Sequence, residues 1–340
     1  MKKISWGIIG LGNMALQFAD AFKYVKNASL KAISSKNLHK LNNFREKFNI
    51  EPNYCFSDYQ ELINCKGIDI IYIALPHSYH YDWTVECIFK EKRILVEKPA
   101  TINFKQIKKI KDHLSKKNIF FAEAFMYRYH PQIFKVIDLL SKSTIGNLLF
   151  MESNFGQNIL EKKNFFGFKK RKKIDESHRL FNKELGGGAI LDLGCYPTSF
   201  SLLIASIINK AEGKIEIKNK KIEFVGSGVD IDSYAKLIFD NNFTSYIGAS
   251  FKKDLGKKTK IIGEKGEIFI EDTWHGNPPI IHVKGEKDYS ININSRANIY
   301  SYEIESISDC ILENKNEPNY PAMTIFDTYQ NMKILDDWLN

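Results

Sequence analysis

The stretch that most constrains the fold is a short apolar run, Ile4-Ser5-Trp6-Gly7-Ile8-Ile9, that ends in Gly10-Leu11-Gly12-Asn13-Met14-Ala15. The run suits a strand buried on both faces of a parallel sheet. The residues after it fit the G-x-G-x-x-G/A pattern. Gly10 permits a tight turn, Gly12 lets a pyrophosphate approach the backbone, and Ala15 allows close helix–strand packing. From Asn13 to Val25 the apolar residues Met14, Phe18, Phe22 and Val25 recur at helical spacing. A strand, a glycine turn and an amphipathic helix in that order form a phosphate cradle at a helix N-terminus. Gly10, Leu11, Gly12, Asn13 and Met14 are therefore the expected dinucleotide contacts.

The alternation continues. Leu30–Ser34 reads as a strand, His39–Phe48 as a helix and Ile68–Leu75 as a strand. Trp83–Phe89 then reads as a helix, Arg93–Val96 as a strand, 104–116 as a helix and Ile119–Phe125 as a strand. Such β-α-β order predicts a parallel sheet covered by helices. After Pro131 the character changes. A helix over 132–141 and a strand Leu148–Phe155 lead into a polar, basic stretch that runs to Leu185. A helix from about Ala189 to Ile208 follows. Residues 221–293 then alternate apolar and polar positions between turn signals, which predicts an antiparallel sheet with one face covered. Two helices, over 301–314 and 322–339, close the chain. The expected class is α/β: a parallel dinucleotide-binding domain (1–123), a second domain with a large open, mainly antiparallel sheet (124–320), and a C-terminal helix (321–340) near their junction.

The chain of 340 residues carries a net charge of +9, from 49 Lys and Arg against 40 Asp and Glu. Its lysines are dispersed, which argues against a nucleic-acid surface. The exception, Lys169-Lys170-Arg171-Lys172-Lys173, follows Phe165, Phe166 and Phe168 and reads first as a solvated loop, then as a contact for phosphate or an acidic ligand. The five cysteines are odd in number and form no CxxC pair, which fits a reducing cytosol and neither a disulfide framework nor a zinc site. No His/Asp/Glu cluster has metal-ligand spacing. The glycines break the N-terminal apolar run too early for a signal peptide, and no segment reads as the roughly 18 apolar residues that span a bilayer. The expected protein is cytoplasmic, with no membrane or nucleic-acid partner.

The end of the second strand selects the cofactor. An acidic residue there would take the ribose 2′-hydroxyl of NAD, but this chain has Ser34-Ser35-Lys36-Asn37 and no acid until Glu46. A hydroxyl and a cation at Ser35 and Lys36 suit a 2′-phosphate. NADP(H) is thus preferred, with NAD(H) as the alternative if Lys36 is merely solvated.

Several ordered blocks follow: Ile71-Tyr-Ile-Ala-Leu-Pro76-His-Ser-Tyr-His80, Glu97-Lys98-Pro99, Glu123-Ala-Phe-Met-Tyr-Arg128-Tyr-His-Pro131 and Gly186-Gly-Gly-Ala-Ile-Leu-Asp192-Leu-Gly-Cys-Tyr196-Pro197. With the glycine loop, this set resembles the glucose-fructose oxidoreductase/inositol dehydrogenase/rhizopine catabolism (Gfo/Idh/MocA) family over nearly the whole chain. The resemblance implies a pyridine-nucleotide oxidoreductase acting on sugars and related polyols, with Lys98 beside the nicotinamide. It also implies a homodimer or homotetramer through the open sheet.

The residues suit that chemistry. Hydride transfer needs a group to move the hydroxyl proton and a positive charge for the developing alkoxide. Lys98 supplies the charge. Asp192 and Tyr196, four apart on a predicted helix, share a face. Many relatives have histidine where Tyr196 stands, whereas sugar dehydrogenases, dihydrodiol dehydrogenases and ketosugar reductases resemble this chain in using tyrosine. A phenol, which ionises near pH ~10, is a natural proton donor to a carbonyl. Lys98, Tyr196 and Asp192 are the catalytic candidates, and Asp192 reads equally as a substrate contact. Leu75, Pro76, His80 and Glu97 are expected on the cofactor side, with His80 alternatively making a structural hydrogen bond. His77 and Arg128 are substrate candidates, and Arg128 reads equally as a structural ion-pair partner. Gly186–Gly188 read as close-approach backbone at a helix start. The rival activities are a nucleotide-sugar ketoreductase, a trans-dihydrodiol-type dehydrogenase and a non-catalytic NADP-binding regulator.

Overall fold

The computed structural model describes residues 2–163, 169–208, 214–240 and 243–340. In chain order its elements begin β1 (Ile4–Ile9), α1 (Asn13–Ala21), β2 (Ala28–Ser34), α2 (Leu38–Phe48), β3 (Cys55–Phe56), α3 (Tyr59–Asn64), β4 (Ile70–Ile73), α4 (His80–Phe89), β5 (Arg93–Glu97), α5 (Phe104–Leu114) and β6 (Phe121–Ala124). They continue with α6 (Pro131–Ser141), β7 (Leu148–Gly156), β8 (Glu161–Lys163), β9 (Lys169–Arg171), α7 (Cys195–Ile208), β10 (Ile215–Phe224), β11 (Asp230–Phe239) and β12 (Thr244–Ser250). The last are β13 (Thr259–Gly263), β14 (Gly266–Ile270), β15 (Ile280–Lys284), β16 (Tyr289–Asn292), α8 (Tyr300–Leu312) and α9 (Ile325–Leu339). Two compact units emerge, Met1–Tyr129 with Arg296–Tyr329, and His130–Ser295 with Gln330–Asn340.

In the first unit, among the described residues, six strands form a parallel sheet in the order β3-β2-β1-β4-β5-β6. Every residue of β4 is buried, as a strand covered on both faces requires. The register pairs Ile9 with Ser34 and Ile73, and Ile73 with Val96. The chain therefore leaves β1, β2, β4 and β5 along one carboxyl edge. Side-chain caps start the helices on the return path, with Asn37, Asp58 and Asn103 accepting from Lys40 N, Gln60 N and Gln106 N.

Residues 296–320, expected in the second domain, cluster with this first sheet instead. The cause is α8, which covers the sheet next to α1. Trp6 Nε1 donates to Ser308 Oγ at 3.0 Å, and Asn27 Nδ2 donates to Asp309 Oδ1 at 2.6 Å and Glu305 O at 2.9 Å. Phe18 stacks on Tyr72 at 4.0 Å and meets Tyr300 edge-on at 6.1 Å. With Trp6, Phe18 and Tyr72 fully buried, this aromatic layer belongs to the unit's core.

Among its described residues the second unit holds an eight-stranded sheet, β10-β11-β12-β7-β13-β14-β15-β16, together with a separate β8–β9 pair. Neighbours run antiparallel except β12 and β7, which are parallel. Helices α6 and α7 pack on each other and on the sheet. Met151, Ser153 and Phe155 are buried, while alternate positions carry Phe150 and Glu152. On that alternate set Phe150 meets Tyr246 edge-on at 6.0 Å, and Tyr246 is 44% exposed. Glu267 pairs with Lys260 at 2.6 Å and Lys284 at 2.9 Å. Phe165, Phe166 and Phe168 of the basic segment lie outside the described residues, and Lys169–Arg171 form β9 against Glu161–Lys163.

One expectation is corrected. The helical stretch 190–208 is long and apolar enough, by composition, to cross a membrane. Most of it is buried within the second unit, as a core helix should be.

Candidate active site

Along the carboxyl edge of the parallel sheet, Gly10 has φ of +88°, and a Cβ there would lie 2.5 Å from Ala74 O. A Cβ at Gly12 would meet nothing within 4 Å. Glycine at position 10 is thus needed for the turn, while glycine at 12 leaves the outer surface of the loop open. The first helical bond runs from Leu16 N to Gly12 O, so the amides of Asn13, Met14 and Ala15 have no partner within α1. An open backbone surface above free helix amides fits a pyrophosphate.

At the end of β2, Ser35 Oγ accepts the Asn37 N–H at 3.2 Å, and Lys36 Nζ lies 5.6 Å from the Tyr59 ring on the surface. Leu75 and Pro76 follow β4 half-buried. His77 is buried in the short turn His77–Tyr79, its ring 5.7 Å from that of His80. His80, fully buried, opens α4.

Lys98 is half-buried and directly follows β5. Its N–H donates to Glu97 Oε2 at 3.2 Å, and Tyr72 OH donates to Glu97 Oε1. The Lys98–Pro99 peptide is cis. One residue further, Ala100 N donates to Glu123 Oε1 at 2.8 Å. The buried Glu97 and Glu123 carboxyls thus hold the backbone on both sides of Pro99.

Burial pushes the Glu123 carboxyl up to about 7. Its folded-state value lies above the unfolded one, so its contribution to stability is present below about pH 4.5 and lost as pH rises through about 7. Between these limits the native state holds a proton that the unfolded chain has released. Glu123→Gln is therefore expected to flatten the loss of stability between about pH 4.5 and 7, by on the order of 3 kcal/mol. Denaturant melts at several pH values check this, and parallel curves for the two proteins would contradict it.

Arg128 is also fully buried here. Its Nη1 donates to Pro321 O at 3.0 Å and its Nε to Tyr127 OH at 3.2 Å.

The second unit carries Asp192 and Tyr196 on one continuous helical run, but its first turn is a π-helix, Ile190–Gly194. Such turns are rare and frequent at functional sites. Local chemistry supports it. Pro197 supplies no N–H, and Thr198 Oγ1 donates to Gly194 O at 2.7 Å. Asp230 Oδ2 accepts the Ile190 N–H at 2.8 Å and caps the run, and burial raises its carboxyl to about 6. Gly188 has φ of +123°, and a Cβ there would lie 2.2 Å from Asp230 Oδ1. The 179–183 loop packs on the glycines, with Gly187 N donating to Asn182 O and Gly188 N to Leu180 O.

That packing brings Arg179 Nη1 to 3.2 Å from Asp192 Oδ1. Arg179 is exposed and Asp192 buried. The Tyr196 ring sits 5.2 Å from Phe155 and 5.5 Å from Trp274. Trp274 is fixed in turn by donating to Asn154 O at 3.2 Å. Sequence reasoning missed Arg179 and Asp230. The first is one cation in a basic stretch, and the second is one acid at a strand start. Only their long-range partners distinguish them.

A parallel sheet with a glycine loop and a lysine on its carboxyl edge defines a nucleotide-binding oxidoreductase. The family comparisons specify which. Residues 4–125 match the model described as an oxidoreductase family with an NAD-binding Rossmann fold, and 133–269 match the GFO/IDH/MocA C-terminal domain. The chain belongs to the Gfo/Idh/MocA family of oxidoreductases. It is 28% identical over 343 residues to a trans-1,2-dihydrobenzene-1,2-diol dehydrogenase of Xenopus tropicalis, covering 98% of this chain and 96% of that protein. It is 29% identical over 210 residues to a D-xylose 1-dehydrogenase (NADP(+)) of Hypocrea jecorina, covering 58% of this chain and 52% of that one. An aldose-aldose oxidoreductase from Caulobacter crescentus has the same fold, with a TM-score of 0.85 at 18% identity over 99% and 96% of the two chains.

Proposed function

We propose that the protein is an NADP(H)-dependent oxidoreductase that interconverts a hydroxyl and a carbonyl on a sugar or sugar-like substrate. The observation that carries this reading is the placement of Lys98 on the same sheet edge as the Gly10–Gly12 loop, with its backbone held by Glu97. The glycine loop and the first turn of α1 hold the pyrophosphate. Ser35 and Lys36, with no acid beside them, favour the 2′-phosphate over a bare ribose. NAD(H) is the weaker alternative.

When bound, the nicotinamide gives or takes the hydride. The ammonium of Lys98 stabilises negative charge on the substrate oxygen, and the Tyr196 hydroxyl gives or takes its proton. Asp192, oriented by Arg179, accepts a hydrogen bond from a substrate hydroxyl. His77 is a further substrate contact. Arg128 acts as a structural cation, a reading supported by its complete burial and its bond to Pro321 O.

A second reading, dehydrogenation of a trans-dihydrodiol, is favoured by the Phe155 and Trp274 rings beside Tyr196 and by the Xenopus relative. NADPH oxidation with keto-sugars, and NADP+ reduction with aldoses and a trans-dihydrodiol, separate the two. Cofactor binding without turnover on any of them would overturn both in favour of a regulator.

The Phe150–Tyr246 face of the large sheet supports assembly as a homodimer or homotetramer. A single-chain mass by light scattering would remove that part. The absence of a disulfide among the five cysteines supports a cytoplasmic setting.

A further inference from the structure

His80 presents an unusual donor problem. Its Nδ1 lies 2.8 Å from Pro99 O, and its Nε2 lies 2.7 Å from Leu75 O. Both partners are backbone carbonyl oxygens, which only accept. A neutral imidazole has one N–H and one lone pair. In that form one of these contacts would set a nitrogen lone pair against a carbonyl lone pair at hydrogen-bond distance. The ring is fully buried, so no displacement toward water relieves it. Two N–H groups satisfy both contacts at once.

We propose that His80 is an imidazolium in the folded protein, and that its charge is a positioning device for the cofactor site. It ties Leu75, at the start of the loop after β4, to Pro99, the residue beyond Lys98. Two strand exits at the sheet edge are thereby held in one register by one side chain. The charge-assisted bonds offset the desolvation of the ring.

The titratable groups around it are His77, with its ring at 5.7 Å, Glu97 and Lys98 before Pro99, and Glu123 on the Ala100 N–H. Its own helix adds Asp82 and Glu86, and α5, packed on α4, adds the exposed Lys105, Lys108 and Lys109. When the second proton leaves at higher pH, one carbonyl is released. The fraction of protein with both exits in register then falls. Apparent cofactor affinity falls with that fraction.

The inference rests on the cofactor reading for its consequence, but the charge itself can be read without cofactor. In protein with 15N-labelled histidine, the ring signals lost in His80→Asn and His80→Gln identify this residue among the eight. Both ring nitrogens are expected to be protonated at pH 7. NADPH Kd, followed by fluorescence, should rise as that signal converts to the neutral form. Asn keeps a donor near Nδ1 and Gln one near Nε2. Each variant should therefore bind NADPH about tenfold more weakly, as loss of one charge-assisted bond implies, and without the pH dependence. An unprotonated ring nitrogen at pH 7 overturns the proposal whatever the variants do. So does a pH dependence of binding that the variants share. Absence of NADPH binding at any pH would instead remove the cofactor reading and leave the spectrum to decide the charge.

Discussion

Lys98→Ala is expected to lower kcat by about two to four orders of magnitude, the usual worth of acid–base and charge assistance, while NADPH binds within a few-fold of normal. The separation follows from the site. The backbone N–H of Lys98 is held by Glu97 at 3.2 Å, and the glycine loop is built by other residues. Truncation therefore removes the ammonium and leaves the cradle. Tyr196→Phe is the companion variant, because the ring packed against Phe155 and Trp274 keeps its shape and loses only its hydroxyl. Single-turnover hydride transfer by stopped-flow, set beside cofactor titration, measures both. Wild-type rates in the two variants would remove the assigned roles.

Gly10→Val should act on the other half of the site. A β-branched residue at φ of +88° is strained, and its Cβ would lie 2.5 Å from a backbone carbonyl, Ala74 O, that cannot rotate away. Strain of about 1–3 kcal/mol in the backbone alone, which a relaxed loop must take up again to bind, corresponds to roughly five- to 150-fold in affinity. The clash forces β1 and β4 apart where the pyrophosphate is proposed to lie, so the loss in NADPH Kd should reach at least the upper end. A Gly12→Ala control meets no protein atom within 4 Å and should fold normally. If Gly10→Val binds NADPH like the wild type, the loop is not the phosphate site.

The parallel unit was legible because each of its signals is local. Apolar runs of four to six residues, glycines at a turn and helical spacing all sit within short windows. The ordered motifs made the candidate residues readable for the same reason, since Lys98 follows its strand directly and Asp192 and Tyr196 share one helical run. What stayed hidden depends on partners far along the chain. The π-turn under Asp192 follows from Asp230, 38 residues later, and from Pro197, which apolar periodicity cannot register. The Arg179–Asp192 pair needs the 179–183 loop folded onto three glycines. Placing α8 with the first sheet needs Trp6 to meet Ser308, a pairing across 302 positions.

That last arrangement sets an order on biosynthesis. The strands of the nucleotide-binding unit leave the ribosome before the second sheet, yet Trp6, Asn27 and Phe18 receive Ser308, Asp309 and Tyr300 only after that whole sheet has been made. Until then the nascent unit exposes an aromatic face, which makes it a client for chaperones while the whole second sheet is being made. A stop codon anywhere before residue 300 leaves that face open for good, so truncated products should be cleared and not accumulate as a free nucleotide-binding domain.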